Sequence, residues 1–475
     1  MFASHINHHN RQVGDESTGV GLKTPWHYAT RLRFIGRGSI CPLAISFGRN
    51  NCPLKWSHQV MLDTIAAFFC ITAVLAFLNR RYVGLPSAIG VMAIALSLSL
   101  INMASDALGF HALHALEQSL VESIDFSELL MQGMLSLLLF AGALHIDLSE
   151  LRAYKWQIAS LAVIGTTLST LLIGFGLWGL LSLTSLELPL SYCLVFGALI
   201  SPTDPIAVMG ILKSAGAPNS VELVISGESL FNDGVSVVLF SLILAIIASG
   251  DIPSIGNASQ LLLTEAGGGI LLGAVFGYIT YRMLKSIDSY QEEVLITLAA
   301  VLGGYALATH LHVSGPLAMV VMGLIIGNQG RSHAMSEQTE KNLDMFWELI
   351  DEILNAVLFV LIGLEVVLIQ FSSPLLATGM MVIALTLLSR LLTVGAPIAV
   401  LGQRFKLPKG AWSVMTWGGL RGGISVALAL SLPRGEARDV VVALTYQVVA
   451  FSILVQGVSV GKLVKRVIPC DVADR

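Results

Sequence analysis

Apolar segments long enough to cross a bilayer recur along this chain from residue 59 to residue 461, and they constrain its fold more than any other feature. A hydrocarbon core of about 30 Å takes about 20 apolar residues of helix. Thirteen segments can be drawn, at 59–78, 83–104, 127–146, 156–183, 188–212, 220–249, 260–281, 291–310, 313–329, 346–371, 375–402, 410–431 and 440–461. Only 12% of the 475 residues are charged and 55% are hydrophobic, whereas a soluble domain carries about 25% charged residues. The expected fold is therefore an all-α polytopic membrane protein, and a water-soluble globular enzyme is excluded.

The basic residues fix the topology. Alternate loops hold Arg80 and Arg81; Arg152 and Lys155; Lys213; Arg282 and Lys285; Arg331 and Lys341; Arg404, Lys406 and Lys409; and Lys462, Lys465 and Arg466. The intervening loops hold only Arg434 and Arg438. The positive-inside rule then predicts an integral inner-membrane protein with its N-terminus outside and its C-terminus in the cytoplasm. A net charge of -4 offers nothing to nucleic acid, so the lipid bilayer is the expected surroundings. The five cysteines form no CxxC pair and no Walker A string occurs, so no zinc site, disulfide framework or cofactor is expected.

Three regions follow: a non-membrane extension at 1–57, a transmembrane domain at 58–466 and a short cytoplasmic tail at 467–475. The extension is polar, has no helical period and carries seven basic residues, while Met61 opens a clean span of its own. It reads first as an upstream misassigned start, with a disordered leader or a transit-like extension as the alternatives.

Two segments break the rule that backbone polar groups are satisfied within a membrane helix. The fifth, LPLSYCLVFGALISPTDPIAVMGILK, has Pro202 and Pro205 near its middle, with Asp204 where an N-cap precedes a first-turn proline. The twelfth, AWSVMTWGGLRGGISVALAL, surrounds Arg421 with Gly418, Gly419, Gly422 and Gly423. Seven spans separate them, so two inverted six-helix repeats joined by a seventh helix place the breaks in corresponding positions. Paired interrupted helices point to the substrate site of a secondary transporter.

The sixth segment supplies the chemistry. Glu228, Ser229, Asn232 and Asp233 lie within an apolar run, Ser229 and Asp233 on one stripe and Glu228 and Asn232 on the next. A charge at bilayer centre costs about 2.5 to 3.5 kcal/mol or more, so Glu228 is expected to compensate Arg421 across helices, leaving Asp233 free to titrate. Arg390 in the eleventh segment is either structural or a neutraliser of a carboxylate or of carbonyl ends. Glu348, Asp351 and Glu352, where the tenth segment begins, form either a solvated helix start or a cation funnel.

The strings SPTDPIAV, GESLFNDGVSVVLF, FWELIDEILNAVLFVLIGLE and GGLRGGISVALAL together resemble the monovalent cation:proton antiporter-1 family, in particular the bacterial NhaP-type sodium/proton exchangers. The resemblance runs from about residue 60 to about 466. It implies a thirteen-span homodimer that is not an enzyme, with Asp233 as the carrier of ion and proton. It further implies a Na+ site at Asp233, Ser229 (hydroxyl), Thr203 (backbone carbonyl) and Asp204 (directly or through water), with Asn232 steadying the helix crossing and Glu228 and Arg421 as a structural ion pair. Asn232 before Asp233 resembles electroneutral exchangers. Many relatives carry a glutamate after a phenylalanine in the third span; here Ala141 follows Phe140, which puts a ligand from that helix in doubt.

The expected mechanism is competition. One carboxylate holds a proton or a monovalent cation, Na+ first and Li+ or K+ as alternatives, and alternating access turns that competition into exchange. A passive cation channel and, more remotely, an intramembrane aspartyl protease built on Asp204 and Asp233 are the rival readings.

Overall fold

In the computed structural model the described residues are 58–108, 133–184, 186–204, 206–249, 263–330, 337–368, 372–401 and 407–467, with Glu117, Gly256 and Gln260 between them. The extension at 1–57, the tail at 468–475, Pro205, Arg331, Arg404 and Lys406 lie outside them.

Every described element is helical. In chain order the helices used below are α1 (His58–Leu78), α2 (Ser87–Ala107), α3 (Leu135–Leu144), α4 (Thr166–Leu181), α5 (Leu190–Ile200), α6 (Ile206–Ala215), α7 (Asn219–Ser249), α8 (Gly268–Leu284), α9 (Tyr290–His310), α10 (Gly315–Ile325), α11 (Glu337–Glu365), α12 (Ser373–Arg390), α13 (Ala411–Trp417), α14 (Gly423–Leu430), α15 (Glu436–Phe451) and α16 (Val458–Val467). Among the described residues, eight helical stretches are long and apolar enough to cross a membrane. The shorter helices fall mainly where a crossing is interrupted, as with α5 and α6, or α13 and α14.

The helix starts follow local chemistry. Ser314 and Ser372 each cap a helix through the side-chain oxygen, which accepts the N–H of Leu317 and Leu375, and each cap is followed by a proline in the first turn. Large apolar side chains such as Phe77, Leu271 and Met380 stand exposed on the outside, as a lipid-facing surface requires.

The helices sort into two bundles. One gathers α1 to α3 with α8 to α11; the other gathers α4 to α7 with α12 to α16. The inverted repeat is visible in who packs with whom. The α2–α11 pairing, segments two and ten, has its counterpart in α10–α3, segments nine and three. Close approach to α3 depends on Gly323 of α10 and on Gly327 in the π-helical turn that follows it: a Cβ at Gly327 would stand 2.1 Å from the Leu144 carbonyl oxygen.

Candidate functional site

Helix α5 stops at Ile200 and α6 starts at Ile206, while α13 stops at Trp417 and α14 starts at Gly423, so both predicted breaks are present. The extended stretches between the half-helices cross, and the Asp204 N–H donates to the Leu420 carbonyl at 2.8 Å.

Each break leaves carbonyls at the negative end of a half-helix, and each end is met by a buried guanidinium. Nη1 of Arg421 donates to the carbonyls of Ser201 (2.6 Å) and Pro202 (2.7 Å) at the end of α5. Nε of Arg390 donates to the Met415 carbonyl at 3.3 Å in the last turn of α13, and Gln456 Nε2 to that of Trp417 at 2.9 Å. Ser452 accepts the Arg421 N–H at 2.8 Å. Ser452 and Gln456 share the π-helical turn Ser452–Gly457, which re-aims both side chains at the crossing.

Here the structure corrects one expectation. Glu228 is not paired with Arg421. It is paired with Arg390, both of whose terminal nitrogens reach its carboxylate, Nη2 to Oε2 at 3.0 Å. The reason is competition for donors: the Arg421 guanidinium is committed to the α5 carbonyls, whereas Arg390 reaches the α13 end through Nε and keeps its planar fork for a carboxylate.

Helix α7 brings the other predicted residues to the crossing. The Ser229 and Thr203 hydroxyls lie 2.8 Å apart. Asn232 makes two contacts to Thr203, donating through Nδ2 to its hydroxyl at 3.0 Å and accepting its N–H at 3.4 Å through Oδ1. Asp233 is 6% exposed, and Thr203, Ser229 and Asn232 are buried with it.

Thr203, Asp204 and Asp233 line one cavity of about 70 Å³, several times the roughly 10–15 Å³ that one water needs. The cavity lies between the bundles: the break between α5 and α6 forms one wall with α7 and α14, and Leu138, Leu139, Gly142, Asn355 and Leu358 of α3 and α11 form the other. Ser229 is not among the lining residues and stands behind Thr203. Helix α3 adds only apolar atoms and a glycine, in keeping with the alanine that follows Phe140. Pro205 lies outside the described residues; Asp204 precedes the start of α6 by two positions.

Sequence reasoning missed Asn355. It lines the cavity and donates through Nδ2 to the Asp351 carbonyl (2.8 Å) and Oδ1 (3.1 Å), joining the cavity to the acidic stretch that contains Glu348 and Glu352. The signal was available, an amide one turn beyond the last acid of the stretch in an otherwise apolar run.

Gly422 allows the crossing to close. A Cβ there would stand 2.2 Å from Oδ2 and 2.6 Å from Cβ of Asp204, so a side chain must displace Asp204 or reopen the break. Gly422→Ala is expected to cost about 1–3 kcal/mol of overpacking and to reduce transport severely. Thermal unfolding in detergent and ion flux in vesicles check both parts; wild-type flux would show that the contact is dispensable.

The charges at the crossing can be counted. Arg390 and Arg421 oppose Glu228, Asp204 and Asp233, so with every group ionised the assembly carries one excess negative charge. One proton or one monovalent cation completes it.

Comparison with known proteins agrees with this architecture. The family model described as "Sodium/hydrogen exchanger, transmembrane" matches residues 64–466. The chain is 53% identical over 411 residues to the Na(+)/H(+) antiporter NhaP of Pseudomonas aeruginosa, covering 86% of this chain and 97% of the relative. It is 37% identical over 357 residues to the Na(+)/H(+) antiporter NhaH of Halobacillus dabanensis, covering 74% and 86%. In fold it is similar to the sodium proton antiporter MjNhaP1 of Methanocaldococcus jannaschii at pH 8, with a TM-score of 0.67, 20% identity, and 86% of this chain and 99% of that one covered.

Proposed function

The chain belongs to the transmembrane sodium/hydrogen exchanger family, and on that premise we propose that it exchanges one monovalent cation for one proton at Asp233, with Na+ as the principal cation and Li+ or K+ as alternatives. The observation that carries this reading is the cavity between the two bundles, shared by Asp233 and Asp204 and backed by a crossing with one excess negative charge.

A hard cation takes oxygen ligands. The Asp233 carboxylate is the primary ligand, the Asp204 carboxylate a second, and Thr203 a third through its backbone carbonyl. Ser229 contributes its hydroxyl once the Thr203 contact loosens; otherwise it holds Thr203 in place. Asn232 fixes the break of the fifth segment against α7, so the carbonyls of that break keep their aim. Arg421 and the Glu228–Arg390 pair neutralise the half-helix ends and make no contact with the ion.

Occupation of the carboxylate by H+ or by the cation excludes the other. Either loaded form is electrically neutral at the crossing, so both cross at similar cost and the bare form does not. One-for-one, electroneutral exchange follows. The acids of α11, connected through Asp351 and Asn355, form the cytoplasmic approach for cations.

The charge asymmetry of the loops supports an inner-membrane location with the N-terminus outside and the C-terminus in the cytoplasm. The homodimer remains part of this reading through the family. A chemical cross-linking experiment in native membranes tests it.

The test of function is recovery of a quenched pH dye in everted vesicles on adding Na+, Li+ or K+ separately. Exchange is expected with Na+ and is expected to be unchanged when the membrane potential is clamped to zero. Flux indifferent to an opposing proton gradient would instead identify a channel. The cation concentration for half-maximal exchange is expected to rise about tenfold for each unit of falling pH once the proton dominates the site, because both ligands compete for one group. A half-maximal concentration that stays flat while only the maximal rate falls would contradict a shared carboxylate.

A further inference from the structure

Away from the ion site, a cavity of about 500 Å³ opens between α13 and the last helix α16, lined in part by Trp412, Thr416, Trp417, Ser459, Lys462 and Arg466. We propose that it binds the headgroup of an anionic phospholipid of the cytoplasmic leaflet.

The chemistry of the lining selects the ligand class. Lys462 and Arg466 are one turn apart on α16 and present two cations to the same space. Among the described residues neither forms an ion pair. Among the described residues that line the cavity there is no carboxylate to compete for them. A phosphodiester accepts from a lysine ammonium and an arginine fork together. Trp412 is 42% exposed, and an indole at such a position belongs at headgroup level, where its ring is apolar and its N–H meets polar groups.

The surroundings distinguish a lipid from a free anion. Val455, on the π-helical turn before α16, and Val458, the first residue of α16, are 45% and 44% exposed, which offers acyl chains a track along the last segment. The charge pattern of the loops places this end of the molecule on the cytoplasmic side, where anionic lipids attract basic side chains at about 1 kcal/mol each.

The position gives the site a consequence. Helix α13 is the half-helix whose far end supplies the Met415 and Trp417 carbonyls to the crossing. It is held to the last segment by Trp417 Nε1 donating to Ser459 at 2.8 Å. A headgroup seated between Trp412 and the Lys462–Arg466 pair adds a second tie at the membrane surface. Lipid binding therefore stabilises the geometry of the crossing from outside it.

The experiment is thermal unfolding of the full chain in neutral detergent, titrated with phosphatidylglycerol, phosphatidylcholine or inorganic phosphate. Phosphatidylglycerol is expected to raise the midpoint saturably, and the other two are not. The double variant Lys462→Gln/Arg466→Gln is expected to need about 30-fold more phosphatidylglycerol for the same shift, the loss of two such attractions. The charge-conserving Lys462→Arg/Arg466→Lys is expected to retain binding, and Lys465→Gln, outside the cavity, to change it by less than threefold. Wild-type response in the double variant would overturn the proposal. So would an equal loss in Lys465→Gln, which would mean diffuse attraction without a site, or an equal shift with inorganic phosphate, which would mean a free-anion site.

Discussion

Asp233→Asn is expected to abolish cation-driven proton movement for Na+, Li+ and K+ alike while leaving the protein folded in the membrane. The amide has nearly the shape of the protonated acid, but it can neither release a proton nor offer a negative charge. The crossing then stays permanently at the neutral count reached by a loaded site. Because Asp233 is 6% exposed, losing its charge removes a desolvation cost, so the thermal midpoint is expected to hold or rise. Dye recovery in everted vesicles, read beside the yield of folded protein, separates the two effects. Asp204→Asn makes the comparison informative: it keeps the titrating group but removes a proposed ligand and leaves the bare crossing neutral, so the half-maximal Na+ concentration is expected to rise about tenfold or more and the coupling of cation to proton to loosen. Wild-type exchange in Asp233→Asn would falsify the carrier assignment.

The second large effect concerns folding. Glu228→Ala leaves the Arg390 guanidinium buried without its carboxylate, and Arg390→Ala leaves Glu228 in the same position. Breaking one side of a buried ion pair costs about 3–5 kcal/mol, enough to remove most folded protein from the membrane. Replacing both members with apolar residues, Glu228→Met with Arg390→Met, is expected to recover more than half of that loss. The remainder is the Met415 carbonyl that Arg390 also serves. A double-mutant cycle of Glu228 against Arg421 is expected to show much weaker coupling, because Arg421 spends its donors on Ser201 and Pro202. Equal coupling in the two cycles, measured by thermal midpoints in detergent, would contradict the pairing.

That pairing also marks where reading the sequence reached its limit. The spans were legible because each needs about 20 apolar residues, and the expected 220–249 and 410–431 agree with α7 and with the outer limits of α13 and α14. The breaks were legible because Pro202 interrupts a helix and the run of glycines around Arg421 weakens one. Helical spacing placed Glu228 and Asp233 on adjacent stripes of α7. It could not choose which of two buried arginines faces Glu228, because that depends on how α12 and the twelfth segment lie against α7. The start of the tenth segment was misread for a related reason. Its helix runs from Glu337, well before the apolar stretch begins at 346, since a polar helix end in water has no hydropathy signature.

The wall opposite the acids has a mechanical meaning. Every charged group of the crossing sits on one bundle, while the partner bundle presents Leu138, Leu139 and Leu358 with the single amide of Asn355. Such a greasy bearing lets a balanced cargo slide past and stalls an unbalanced one, since leucine side chains offer a naked carboxylate no solvation. Leakage is thus suppressed by what the opposite wall lacks, and inserting one extra polar side chain at Leu138 or Leu358 is expected to loosen the coupling into wasteful slippage.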